Sequence, residues 1–200
     1  MTQEASREQK EKKLEDIKKE ADKKKCPVQK SLYFIEEFLA GPMCGKCFPC
    51  SFGSYEARIR LKRVAGGTAA DADLASIKRI TSNMIEASMC KKGKDTARFI
   101  LDNIDSKEFT EHLSGVCSSN ECMEYMKYII VPEKCTMCGI CSDVCKDTAI
   151  IGEKRKSYLS GYLPFEIIQK RCTKCGDCIK VCPTQAIIIT NSKDREPVGV

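Results

Sequence analysis

The 200-residue chain contains 15 cysteines and one histidine, and these side chains divide into four sets of four with none left over. Cys135, Cys138, Cys141 and Cys145 make one C-x2-C-x2-C-x3-C run; Cys172, Cys175, Cys178 and Cys182, followed by Pro183, make a second. A cubane iron–sulfur cluster needs four soft thiolates converging on four irons, and two-residue gaps let three of them wrap one face while backbone amides point at sulfur. Cys44, Cys47 and Cys50 form a third triplet without a nearby fourth thiol. Cys90, two helical patterns downstream, is its natural completion, although a lone cysteine also suits a small buried core position. Cys26, His112, Cys117 and Cys122 remain. Their types and number satisfy a Cys3His zinc site. The H-x4-C-x4-C spacing is looser than that of zinc fingers, and the same residues also suit a structural histidine beside free thiols in a linker.

Helices and strands must position these groups. Residues Met1 to Lys25 carry nine basic and seven acidic side chains, many three or four apart, which fits a solvated helix or frayed arm rather than a core. Val28, Leu32, Ile35 and Leu39 recur at helical spacing until Gly41 and Pro42 stop the helix just before Cys44. Further helical patterns run from about Tyr55 to Ala65 and from Asp71 past Ile85, with Cys90 just beyond. A fourth, through Phe99, Ile100 and Ile104, breaks near Ser106 before Phe109, His112 and Leu113. These patterns predict a small helical bundle. From Met126 the texture changes to a β-like run, Tyr128 to Val131, and then to two similar units of cysteine motif plus short apolar strand. Asp147-Thr-Ala-Ile-Ile151 and Thr184-Gln-Ala-Ile-Ile-Ile189 expose this internal repeat.

The formal charge of +6 suggests nucleic acid, but it counts every cysteine as neutral. A cluster with four thiolates carries about −2 and a Cys3His zinc site about −1, which brings the loaded chain to about −1. The excess of Lys and Arg balances cluster charge, and nucleic acid is not an expected partner. No apolar run is long enough for a membrane span, and no signal sequence opens the chain. An odd number of thiols cannot all form disulfides, so a cytoplasmic location, where thiols stay free for metal, is expected. No Gly-rich phosphate loop follows a strand, and the one histidine is committed, so neither a nucleotide site nor a catalytic dyad is expected.

Residues 128 to 190 resemble bacterial two-cluster ferredoxins, in which the last cysteine of each run serves the other cluster. The resemblance implies Cys135, Cys138, Cys141 and Cys182 around one cluster, and Cys172, Cys175, Cys178 and Cys145 around the other. Lys146 stands where proline usually follows the first run, and the stretch from Lys146 to Arg171 is longer than in compact ferredoxins.

Gly41-Pro-Met-Cys-Gly-Lys-Cys-Phe-Pro-Cys-Ser-Phe-Gly53, then a helix, Gly66-Gly67, an Asp71-Ala-Asp-Leu74 helix and Cys90, resembles the C-terminal iron–sulfur domain of the NADH-binding flavoprotein subunit of respiratory complex I. Ser51 stands where that family often has arginine. Beta subunits of electron-bifurcating iron hydrogenases and NAD-linked formate dehydrogenases are more similar still, because they continue into a two-cluster ferredoxin; the resemblance spans residues 26 to 190. It implies a zinc at the joint between bundle and ferredoxin, with a fixing or hinging role. The flavin- and NADH-binding domain and the thioredoxin-like part of those families have no counterpart in this sequence.

The expected fold is therefore α+β, a small helical bundle with one 4Fe-4S cluster followed by a ferredoxin-like domain with two. The expected divisions are residues 1–25 (arm), 26–116 (bundle), 117–127 (zinc-containing linker), 128–190 (ferredoxin) and 191–200 (tail). The expected cofactors are three 4Fe-4S clusters and one zinc (Zn). The implied function is single-electron relay, without a catalytic site of its own, in an anaerobic complex for which electron bifurcation is one candidate chemistry. Its partners would be a flavoprotein that oxidises NAD(P)H and a hydrogenase or formate dehydrogenase subunit. A free-standing polyferredoxin and a zinc-organised docking module with structural clusters are the alternatives.

Overall fold

The computed structural model describes residues 13–155 and 165–191. The chain divides into two units, Met1–Glu124 and Tyr125–Val200. The first holds α1 (Leu14–Asp22), α2 (Pro27–Ala40), α3 (Phe48–Ala65), α4 (Asp71–Ala87), α5 (Lys91–Ile104) and α6 (Lys107–Glu111), followed by a 3-10 turn at His112–Ser114. No helix among the described residues is long and apolar enough to cross a membrane.

α2 starts at Pro27, whose missing N–H costs nothing in a first turn, and ends at Gly41. Its buried Val28, Phe34, Ile35 and Phe38 form one face. Phe34 stacks on Phe99 of α5 with ring centroids 4.2 Å apart. Ile17 and Ala21 of α1 close over this pair and are fully buried. The segment expected to be a solvated arm is thus, over Leu14–Asp22, a helix with a core face; Met1 to Lys12 lie outside the described residues. Each fully buried Ile or Phe contributes about 1.5–3 kcal/mol, enough to hold a short, highly charged helix.

α3 begins at Phe48, seven residues before the expected Tyr55, because Pro49 is tolerated in a first turn. Cys50 is therefore helical. Gly53 lets α3 approach α4, since a β-carbon there would sit 2.7 Å from Met84 Cγ. α4 is anchored by Asp73, which accepts from the Ala70 N–H at 3.1 Å and pairs with Arg60 at 2.7 Å and Arg63 at 3.4 Å. The Ala70 N–H, against the opposing cost of burial, and then the two guanidinium groups hold this carboxyl below its usual range. A depressed carboxylate pKa contributes stability that is present above the unfolded value and lost as pH falls through the folded one. Asp73→Asn is expected to destabilise the helical unit by about 2 kcal/mol at pH 7, with the gap closing below about pH 4; unfolding curves at the two pH values check this.

The second unit contains β1 (Met126–Ile130), α7 (Ile140–Asp143), β2 (Ile150–Ile151), β3 (Glu166–Ile167), α8 (Asp177–Val181) and β4 (Ile187–Asn191). β1 pairs antiparallel with β4, Tyr128 opposite Ile189, and β2 with β3, Ile150 opposite Ile167. Each half of the repeat thus pairs its leading strand with the trailing strand of the other. The repeat also survives in the backbone at a 37-residue offset. Met137 and Lys174, Gly139 and Gly176, and Thr148 and Gln185 all have positive φ. Residues 156–164, within the long insertion, and 192–200, within the expected tail, lie outside the described residues.

Candidate metal centres

The tightest cluster of ligands is buried in the first unit. Cys26 is the residue preceding α2, His112 follows α6, and Cys117 and Cys122 lie in the segment that closes the unit; all four are buried, with ligand atoms within 4.8 Å of one another. Cys117 and Cys122, expected in a linker, belong to the helical unit, which extends through Glu124. Cys26 Sγ lies 3.7 Å from Cys122 Sγ and 4.0 Å from Cys117 Sγ. His112 Nε2 lies 3.3 Å from Cys26 Sγ and 3.5 Å from Cys122 Sγ. Zinc bonds of about 2.3 Å to sulfur and about 2.05 Å to nitrogen give a regular tetrahedron edges of about 3.8 Å and about 3.6 Å. The four atoms thus fit zinc.

The surrounding groups fit it too. His112 Nδ1 is 2.7 Å from the Glu108 carbonyl, so Nδ1–H donates there and Nε2 faces the sulfurs, the tautomer a metal requires. The Gln29 side-chain amide donates to Cys122 Sγ at 3.3 Å. Burial opposes a charged imidazole, yet the Cys117 and Cys26 sulfurs hold its proton and push His112 up to about 10. The Cys122 and Cys26 thiols favour Cys117 as thiolate, while Cys122 is driven up chiefly by Cys117. A metal displaces these shared protons, so loading should tighten as pH rises.

Sequence reasoning missed Glu121. Its carboxylate accepts from the backbone N–H of Lys25 at 2.9 Å and of Cys26 at 2.8 Å, clasping the start of α2 across more than ninety residues. Glu121→Ala is expected to weaken zinc binding by about ten- to a hundredfold with iron unchanged, as competition against a chromophoric chelator measures. Unchanged affinity would remove Glu121 from this positioning role.

The triplet and Cys90 come together at the start of α3 and the start of α5. Cys47 precedes α3, Cys50 lies in its first turn, Cys90 immediately precedes α5, and Cys44 is exposed beside Gly45, which has φ +69°. Burial pushes the Cys50 thiol up to about 11, and Cys47, Cys90 and Cys44 reinforce the shift, the cost of gathering sulfur anions that iron relieves. A backbone hydrogen bond from Met89 lowers Cys47. The buried Ser88 hydroxyl has no hydrogen-bond partner among the described residues, and the buried Ser54 hydroxyl bears on Cys50 and lowers its thiol; donors of this kind suit cluster sulfur. Gly93, also missed in the sequence, is required because a β-carbon would meet Cys50 Sγ at 2.9 Å. These features fit a cluster.

In the second unit left-handed residues flank the second cysteine of each run, Met137 and Gly139 around Cys138, Lys174 and Gly176 around Cys175. Such kinks turn successive N–H groups inward as an anion nest. Ala149 N–H donates to Cys145 Sγ and Ala186 N–H to Cys182 Sγ, each at 3.3 Å. Burial raises the Cys141 thiol, and Cys135, Cys138 and Cys182 add to the rise. Cys145, Cys172, Cys175 and Cys178 line one recess, walled by Tyr128, Ile150 and Ile167. Burial pushes Cys178 up to about 11, helped by Cys172, Cys175 and then Cys141. Tyr128, unremarked in the sequence, donates its hydroxyl to the Lys174 carbonyl at 3.1 Å and braces that loop. Lys154, paired with Asp143 at 2.8 Å, lies over Gly139.

Comparison with known proteins follows the same division. Residues 30–113 match the model of the NADH-ubiquinone oxidoreductase-F iron-sulfur binding region, and residues 134–187 that of a 4Fe-4S dicluster domain. The chain is 32% identical over 140 residues to the NADP-reducing hydrogenase subunit HndC of Solidesulfovibrio fructosivorans, covering 68% of this chain and 28% of that protein. It is 34% identical over 65 residues to the NADP(+)-dependent formate dehydrogenase subunit beta of Moorella thermoacetica, covering 32% and 9%. It is 32% identical over 81 residues to a subunit of the NADH-quinone oxidoreductase of Streptomyces coelicolor, covering 40% and 18%. The chain spans less than a third of the length of each of these relatives. It carries an NADH-ubiquinone oxidoreductase-F iron–sulfur binding region followed by a 4Fe-4S dicluster domain, the fusion that the resemblance of its sequence implied.

Proposed function

We propose that the chain is the iron–sulfur electron-transfer subunit of a cytoplasmic oxidoreductase complex. It relays single electrons between a flavoprotein that uses NAD(P)H and a hydrogenase- or formate dehydrogenase-type subunit. The observation that carries this reading is that twelve cysteines lie inside two matched iron–sulfur regions, in number and spacing that suit three thiolate tetrads. The tetrads are Cys44, Cys47, Cys50 and Cys90; Cys135, Cys138, Cys141 and Cys182; and Cys172, Cys175, Cys178 and Cys145. When bound, each cluster accepts and releases one electron. The chain's own residues supply thiolates, inward N–H donors and a low-dielectric wall, which set the potentials.

Zinc does not change oxidation state, so Cys26, His112, Cys117 and Cys122 act as a staple that fixes the start of α2 against the end of the helical unit. The reading is tested by anaerobic reduction with a low-potential donor followed by EPR. Rapid appearance of reduced-cluster signals is expected; clusters that accept no electron on the turnover timescale would instead assign them a structural role. Co-purification with a flavoprotein distinguishes a wired subunit from a free-standing carrier.

A further inference from the structure

Beside the cluster ligands of the first unit lies a surface that neither ligation nor folding uses. Phe48 and Phe52 stack with ring centroids 5.1 Å apart, yet they are 73% and 57% exposed. Tyr55 and Ile59, also exposed, continue the same face of α3 at helical spacing. Met89 is 83% exposed. Phe48 follows Cys47, Met89 precedes Cys90, and the Met89 backbone hydrogen-bonds to Cys47. The apolar side chains therefore border the ligands. A large exposed apolar patch marks an interaction site.

Charge says what covers it. The segments Gly41 to Gly53 and Ser88 to Lys94, which supply all four thiolates, contain Lys46, Lys91, Lys92 and Lys94 and no acidic residue. Lys46, Lys91 and Lys92 are exposed. Among the described residues none of the four enters an ion pair. The two cysteine runs of the second unit differ, with Asp143 paired to Lys154 and Asp177 to Lys180. A second copy of the same face would set lysine against lysine.

We propose that this face docks a one-electron carrier protein whose redox centre is ringed by Asp and Glu, with those carboxylates meeting Lys46, Lys91 and Lys92 around an apolar contact made by Phe48, Phe52 and Met89. The inference rests on the electron-relay reading above. In the docked pair one electron leaves the partner's reduced centre, which is oxidised by one, and enters the site held by Cys44, Cys47, Cys50 and Cys90, which is reduced by one. No bond breaks and no proton moves. Exposed Cys44 places the site at the contact surface, and opposite charge raises the encounter rate at low salt.

The test is carbodiimide coupling, which joins amines to carboxylates in contact, on the anaerobic metal-loaded chain. The sample is the chain with its co-purifying partners or, where it purifies alone, with a reduced acidic flavodoxin. Peptide mapping is expected to find Lys46, Lys91 or Lys92 joined to Asp or Glu of the redox partner. Links only to this chain's own acidic residues, to a second copy or to a protein without a redox centre would overturn the inference, as would no link at all. The double variant Lys91→Glu/Lys92→Glu should keep its iron and still be reduced by photoreduced deazaflavin, while partner binding at low salt falls by about tenfold or more and loses its salt dependence. Unchanged binding in that variant would sink the docking face and leave the relay standing. Wild-type clusters that take no electron from deazaflavin would sink the relay itself.

Discussion

Cys26→Ala is expected to strip zinc from the protein while leaving all of its iron in place. Cys26 Sγ is the shared corner of the tetrad, 3.3 Å from His112 Nε2 and 3.7 Å from Cys122 Sγ, and among the described residues the group holds only Cys26, His112, Cys117 and Cys122. Structural zinc in small domains contributes about 10–16 kcal/mol of apparent binding energy that is also folding energy. Losing one ligand of four, and with it the metal's hold on the start of α2, should cost about 5 kcal/mol or more, equivalent to a fall of roughly 20 °C in the melting temperature of the helical unit. The measurement is elemental analysis beside calorimetry. Loss of the Cys44, Cys47, Cys50 and Cys90 cluster in place of zinc would overturn the partition of ligands.

The crossed ligation of the second unit makes the other large prediction. Cys145 belongs to the first run in sequence, yet it shares a recess with Cys172, Cys175 and Cys178, while Cys182 of the second run bears on Cys141. Cys145→Ala/Cys172→Ala should therefore damage one cluster, whereas Cys145→Ala/Cys135→Ala should damage two. Iron content is expected to fall to about eight in the first pair and to about four in the second. The reverse order would mean that each run keeps its own four cysteines, and equal losses would contradict the crossed partition.

Much of this was legible in the sequence because cluster ligation leaves a local record. The gaps of two, two and three residues are set by the reach of a chain around a cubane, and the 37-residue repeat recurs in the positive-φ residues and in the paired Ala149 and Ala186 N–H bonds. The rest depends on partners that no local pattern shows. Glu121 meets Lys25 and Cys26 only after the helical unit has closed, and one glutamate beside a cysteine carries no signal of that. Gly93 sits in a Lys-Lys-Gly-Lys stretch that looks like a loop, yet it lies in α5, and it is glycine because a β-carbon would meet Cys50 Sγ at 2.9 Å. Charge dominates α1, so its two buried apolar residues, Ile17 and Ala21, are outweighed by the composition around them although they decide its packing. α3 starts at Phe48 because the cysteine triplet runs into it, whereas Phe-Pro-Cys by itself resembles a break.

The staple and the relay divide the work. One tetrad has matched protons, a fixed tautomer and no redox chemistry; the other three gather thiolates where burial makes gathering costly, and iron removes that cost. Native mass spectrometry of the anaerobically purified protein tests this division most directly. About twelve irons and one zinc per chain are expected. About eight irons, or zinc absent from an otherwise fully iron-loaded chain, would contradict it.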